Sequence, residues 1–221
     1  MSEFNVDLVK FAGIIFGDGY ITKQGNVKFQ HSLLQKDYAL YKAIKCEEYF
    51  GLKYSKYQRK KQENSFSTND NFIIHCHAKN WVKVLRNEWY INSTKNIPCN
   101  IISQFGIEEW SFIYQDDGRL NKISHTNNLI NGTRVRKECS PFVNRYEFCL
   151  GYPTDDTLQA LQVSLNNLNI ESSILIRKDG QRNISISKAS SKIIFYESIK
   201  SFIFNSMQYK LNINPTLSYS K

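Results

Sequence analysis

From Leu8 to Phe16 the chain is apolar at nearly every position, the pattern of a buried helix, and Gly17-Asp18-Gly19 ends it. Two short runs, residues 20–23 and 27–32, flank Gln24-Gly25-Asn26 and predict a hairpin. Tyr38, Tyr41, Ala43, Ile44, Cys46 and Phe50 fall at mostly helical spacing over residues 36–50, with Gly51 as the stop. Strand-like runs follow at 54–60 and 72–77. A helix over 80–90 carries Trp81, Val84, Leu85 and Trp89.

The same order then returns. Residues 107–115 predict a helix closed by Asp116-Asp117-Gly118. Strands at 119–123 and 146–150 are separated by a long polar, basic loop over 124–145. A helix over 154–168 turns Leu158, Leu161, Val163 and Leu165 inward. Strands at 173–177 and 183–187 flank Asp179-Gly180, a hairpin signal, and a helix over 190–204 closes the unit. The chain therefore reads as an α+β protein, αββαββα twice, with units at 1–105 and 106–221.

In each unit one face of a sheet can lie under the helices while the other stays free. Alternation with the apolar set assigns Tyr20, Thr22, Lys28, Gln30, Lys56, Gln58, Lys60, Arg119, Asn121, Arg177 and Arg182 to the free faces. Gln, Asn, Lys and Arg on a strand ribbon suit the major groove of DNA, although a solvated sheet face would look similar.

Charge sharpens this picture. The net charge is +9 and the pI about 9.2, which favours a polyanionic partner. Residues 1–105 hold 15 Lys/Arg against 9 Asp/Glu, and residues 106–221 hold 14 against 11, so the excess is spread along the chain and is no tail. Within the loop over 124–145, Arg134, Arg136, Lys137 and Arg145 are candidates for a phosphate clamp. No apolar run reaches membrane-span length, and no amphipathic basic helix suggests a membrane surface. Five cysteines without C-x-x-C spacing argue against a disulfide framework or a zinc site, and His75-Cys76-His77 reads as a half-exposed strand.

The paired acidic turns carry the chemistry. A carboxylate at a helix C-terminus faces an unfavourable dipole and free carbonyls, a poor place for stability and a good one for a divalent cation. Carboxylate and carbonyl oxygens are the hard ligands magnesium takes. Met once, Asp-Gly after a helix is an ordinary turn; here it recurs at matching places in a repeat. Gly13 and Gly17 share one helix face and permit close approach of a partner helix, which would bring Asp18 and Asp117 side by side.

The stretch Phe11-Ala12-Gly13-Ile14-Ile15-Phe16-Gly17-Asp18-Gly19 resembles the LAGLIDADG motif of homing endonucleases. Trp110-Ser111-Phe112-Ile113-Tyr114-Gln115-Asp116-Asp117-Gly118 resembles a second copy, weaker because Ser111-Phe112 replaces Ala-Gly. The likeness spans nearly the whole chain and points to the single-chain, two-motif type. It implies two saddle-forming sheets on DNA and metal-binding acids at Asp18 and Asp117. It also implies carbonyl ligands from Gly17 and Asp116, with the Asp116 side chain capping or supporting the site from behind rather than ligating, and basic residues at Lys95 and Lys210 that order water near the scissile phosphates.

The activity so implied is magnesium-dependent cutting of double-stranded DNA at a long site, leaving short 3′ overhangs and promoting mobility of the encoding element. Manganese would substitute, and calcium would support binding without cleavage. The rival readings are an RNA maturase, with intron RNA as partner, and a cleavage-dead DNA-binding regulator. Retention of both acids and both lysines weighs toward the nuclease. A monomer is expected, in a mitochondrion if organelle-encoded and otherwise in a bacterial or phage cytoplasm.

Overall fold

A computed structural model describes residues 7–60, 70–121, 129–130, 133–134 and 145–211. The first repeat runs α1 (Leu8–Phe16), β1 (Gly19–Ile21), β2 (Val27–Ser32), α2 (Lys36–Phe50), β3 (Tyr54–Arg59), β4 (Asn71–Cys76) and α3 (Asn80–Glu88). A small hairpin, β5 (Tyr90–Ile91) and β6 (Thr94–Lys95), and a single turn of helix, α4 (Cys99–Ile102), lead onward. The second repeat runs α5 (Ile107–Asp117), β7 (Gly118–Asn121), a short ribbon of β8 (Leu129–Ile130) and β9 (Thr133–Arg134), β10 (Arg145–Cys149), α6 (Asp155–Asn167), β11 (Ser173–Ile176), β12 (Arg182–Ile186) and α7 (Ala189–Ile199).

Each repeat builds a four-stranded antiparallel sheet, ordered β1-β2-β4-β3 in one and β7-β10-β12-β11 in the other, the same topology twice. Local chemistry supports the elements. Asp7 caps α1 by accepting from the Lys10 N–H at 3.0 Å. Gly51 ends α2 at a φ of 60°, a conformation that favours glycine. Thr154 caps α6, and Asp155 and Asp156 complement its positive end.

Helices α1 and α5 pack against one another at the centre, and a single apolar core surrounds them. Phe11 meets Phe50 and Trp81 edge-on in the first repeat. Trp110, Tyr114, Phe148 and Phe195 interlock in the second. Among the described residues, no helix is long and apolar enough to cross a membrane.

Several elements depart from the sequence reading, among them the β5–β6 hairpin and α4, which it did not predict. The last helix stops at Ile199 rather than 204, and 3-10 turns at Lys200–Phe202 and Asn205–Leu211 follow. Buried Gln115 accounts for the break: its amide accepts from the Phe204 N–H at 2.8 Å and donates to the Phe202 carbonyl at 3.3 Å, groups a continuing helix would use itself. The loop expected over 124–145 holds the β8–β9 ribbon; Arg134 lies in it, while Arg136 and Lys137 lie outside the described residues.

Candidate active site

The centre of the molecule is a contact without room for side chains. A Cβ on Gly13 would sit 2.6 Å from the Glu109 Cβ, and one on Gly17 would sit 2.4 Å from the Asp116 Cβ. Backbones that approach so closely bring the two helix ends together, and with them Asp18, just past α1, and Asp117, the last residue of α5.

Each helix end is plugged by a lysine. The Lys95 ammonium, from β6, shares its three protons among the carbonyls of Ile15, Phe16, Gly17 and Gly19, at 2.5, 2.6, 2.8 and 2.8 Å. The Lys210 ammonium donates to the carbonyls of Gln115 and Asp116 at 2.6 and 2.8 Å. A helix C-terminus leaves carbonyls unsatisfied and carries partial negative charge, so a buried ammonium is well placed there. Burial lowers both lysines, Lys95 to about 8, while the aspartates oppose the shift. Tyr114 completes the second plug, donating its hydroxyl to the Lys210 carbonyl at 2.7 Å.

The three aspartates are unlike one another. Burial and the neighbouring Asp116 charge raise Asp18 above the ordinary carboxylate value. Burial, Asp116 and Asp18 push Asp117 up to about 7. Asp116 moves the other way: burial alone would raise it, but Lys42 and the N–H of Asp18 hold it down. Its carboxylate, fully buried, accepts from the Lys42 ammonium at 2.6 Å, the Tyr38 hydroxyl at 2.8 Å and the Asp18 N–H at 2.9 Å. The Asp116 side chain is thereby committed to three donors of the first repeat.

His31, buried and lowered to about 4 by desolvation and Lys42, is neutral and places Nδ1 3.7 Å from an Asp18 carboxylate oxygen. Asp18, His31 and Asp116 present ligand-type atoms within 4.8 Å of one another. With the Asp116 oxygens already bonded, the oxygens open to a cation are those of Asp18, nearly half exposed, and Asp117. A cleft of about 790 Å³ opens beside Asp117 and Lys95, walled by Asn92, Thr94, Leu150 and Tyr152. Crowded carboxylates with raised proton affinity, next to carbonyl oxygens, fit a hard divalent cation.

The sheet faces need correction. Register puts Lys28 opposite Tyr20 and His75, and His75 opposite Ser55, away from the helices; Tyr20 and Gln30 are exposed there. Lys56 pairs with Ile74, and Gln58 with Phe72, so both belong to the helix-side face instead. The free face of β3 carries Ser55, Tyr57 and Arg59; Lys60 lies just beyond the strand. Arg182 pairs with Ile176 on the helix side and binds the Asp155 carboxylate, tying β12 to the start of α6. Thr22 accepts from the Asn26 N–H at 3.1 Å and closes the first hairpin turn.

Arg119 lies on the free face opposite Glu147, which accepts from its Nε at 2.9 Å and also pairs with Arg145. The second face is therefore less basic than its arginines alone suggest. Asn121 pairs with Arg145 at the end of β7, and Arg177 is exposed at the β11–β12 turn. Sequence reasoning missed Lys42, Tyr38, His31 and Gln115. A signal existed for Lys42, a lysine on the buried stripe of α2 between Tyr38 and Cys46.

A model of the LAGLIDADG DNA endonuclease family matches residues 11–194. No curated protein matches the chain in sequence. Among solved structures, the chain is similar to the homing endonuclease I-WcaI bound to its DNA recognition sequence, at a TM-score of 0.67 and 19% identity over 95% of this chain and 85% of that one. It is similar to I-DmoI in complex with DNA and Mn, at 0.53 and 16% over 90% and 100%. Full-length DUF199/WhiA from Thermatoga maritima shares the fold at 0.50 and 12%, over 96% of this chain and 60% of that one. The family match takes in both acidic turns and both four-stranded sheets, and the chain belongs to the LAGLIDADG DNA endonuclease family.

Proposed function

We propose that the chain is a site-specific homing endonuclease that cuts double-stranded DNA by metal-dependent phosphodiester hydrolysis. The observation that carries this reading is the pair of helix-end acids, Asp18 and Asp117, each beside a carbonyl cluster held by a lysine. Crowded carboxylates cost stability when no cation is bound, and a divalent ion between them and the carbonyls would offset that cost. Complexes of I-DmoI with DNA and Mn, and with DNA and Ca, support a divalent cation, for which we take magnesium.

When bound, the cation supplies charge neutralisation at phosphorus and lowers the cost of activating water. The remaining work falls to the chain. Asp18 with the Gly17 carbonyl, and Asp117 with the Asp116 carbonyl, would hold metal on either side of the pseudo-two-fold, one acid toward each DNA strand. Lys95 and Lys210, whose protons go to the helix-end carbonyls, would act on the scissile phosphates through their positive charge and by fixing those carbonyls. The free faces, with Tyr20, Lys28, Gln30, Tyr57, Arg59 and Arg119, would lie along the major groove on either side of the cut. A monomer, short 3′ overhangs and mobility of the encoding element complete the reading.

The test is a randomised duplex library incubated with the purified chain in magnesium or EDTA, beside Asp18→Asn and Asp117→Asn. One long sequence cut only by the wild type with magnesium is the expected result. Intact DNA under both magnesium and manganese, with DNA or intron RNA still retained, would transfer the chain to the regulator or maturase class.

A further inference from the structure

We propose that Tyr38 and Lys42 are positioning residues that hold Asp18 through the Asp116 carboxylate, on one side of the pseudo-two-fold only; this rests on the endonuclease reading above.

The network is one-sided by construction. Asp116 belongs to the second repeat, yet the three groups donating to its carboxylate, Lys42, Tyr38 and the Asp18 N–H, belong to the first. The matching position before Asp18 is Gly17, which has no side chain to return the contact. Nor is there space for one, since a Cβ there would meet the Asp116 Cβ at 2.4 Å.

Lys42 is an unusual component. Its side chain is fully buried, as is the Asp116 carboxylate, and its ammonium lies 4.6 Å from the centre of the Phe29 ring. Tyr38 is fully buried too; it shares its hydroxyl between Asp116 and the Phe112 carbonyl, 3.2 Å away, and packs edge-on against His31. His31 in turn approaches the Asp18 carboxylate. Asp18 is thus held at its backbone N–H by Asp116, and the His31 ring that Tyr38 supports stands 3.7 Å from its carboxylate. Asp117 has no counterpart among the described residues and borders the open cleft instead.

Neither Tyr38 nor Lys42 reaches solvent, so neither is a catalytic residue. Each acts by fixing where one of the two acids sits. Displacement of a reacting group by about 1 Å costs on the order of 100-fold in rate, so the effect should be visible in one strand's chemistry.

The experiment uses the full chain and a duplex selected by wild-type cutting of a randomised library, labelled on both strands, with the two strand rates followed separately. Tyr38→Phe removes one hydroxyl and keeps the packing; Lys42→Met removes the ammonium. Thermal midpoints and DNA affinity are measured alongside. The expected result is that both variants change the ratio of the two strand rates by about tenfold or more, with DNA affinity retained. For Tyr38→Phe, the variant that preserves packing, equal slowing of both strands or unchanged rates in a folded protein would overturn the inference while leaving the endonuclease intact. A wild type that cuts neither strand of any duplex would overturn the endonuclease reading itself, and this inference with it.

Discussion

Gly13 on α1 faces Glu109 on α5 so closely that a Cβ on the glycine would lie 2.4 Å from the Glu109 Cγ. The site depends on this contact, because the separation of the helix ends sets the separation of the acids. Gly13→Ala must push the helices apart or displace Glu109, whose carboxylate also accepts the Gly106 N–H at 2.8 Å. We expect a loss of about 1–3 kcal/mol in urea unfolding, with cleavage falling further than stability explains. Wild-type stability and activity in this variant would count against the close approach.

The pH profile should be bell-shaped. Asp117, raised to about 7 by burial, Asp116 and Asp18, must be ionised to hold a cation. Lys95, lowered to about 8 by burial, must be charged to hold the helix-end carbonyls and to place its positive charge beside the phosphate. The free enzyme therefore has both groups in working form over a narrow interval between those values, and kcat/KM should fall on either side. Lys95→Arg should carry the alkaline limb upward, since guanidinium does not titrate in this range. An alkaline limb unmoved by that substitution would remove Lys95 from the explanation.

Asp117 should weaken the metal-free protein. Its folded pKa lies above the unfolded value of 3.8, so the folded state binds the proton more tightly and stability falls as pH rises from about 4 to about 7. Above that range the full penalty applies. Asp117→Asn should therefore raise the unfolding free energy of the metal-free protein near pH 8 by on the order of 2 kcal/mol after solvent screening, while abolishing cleavage. Magnesium should stabilise the wild type and leave the variant largely unaffected, which differential scanning calorimetry can follow.

DNA affinity should follow strand register rather than the density of basic residues. Tyr57→Ala and Arg59→Ala, on the free face of β3, should each weaken binding more than Lys56→Ala or Gln58→Ala. Arg59→Ala should also lower the slope of log K against log salt by about one, as loss of one phosphate contact does. Arg182→Ala should lower stability through its lost Asp155 partner and leave base preference unchanged. Larger effects from Lys56 than from Arg59 would place the DNA on the other side of the strand.

Much of this protein is local and could be read along the chain. The apolar run before Asp18, the second run before Asp117 and the recurring order of helices and strands are nearest-neighbour patterns, and the structure contains them. Phase in β3 was not legible: Tyr54-Ser55-Lys56-Tyr57-Gln58-Arg59 has no apolar alternation, so only its pairing with β4 decides which side chains face the helices. Arg182 looked like a free basic residue until Asp155, distant in sequence, proved to lie beside it. The lysine plugs were placed by resemblance, but that Lys95 gathers carbonyls from the end of α1 and the start of β1 is a property of packing. The Asp116 network belongs wholly to the tertiary structure. Its donors come from α2 and the end of α1, and only the contact between α1 and α5 brings them to one buried carboxylate, where each must be satisfied because water cannot reach it.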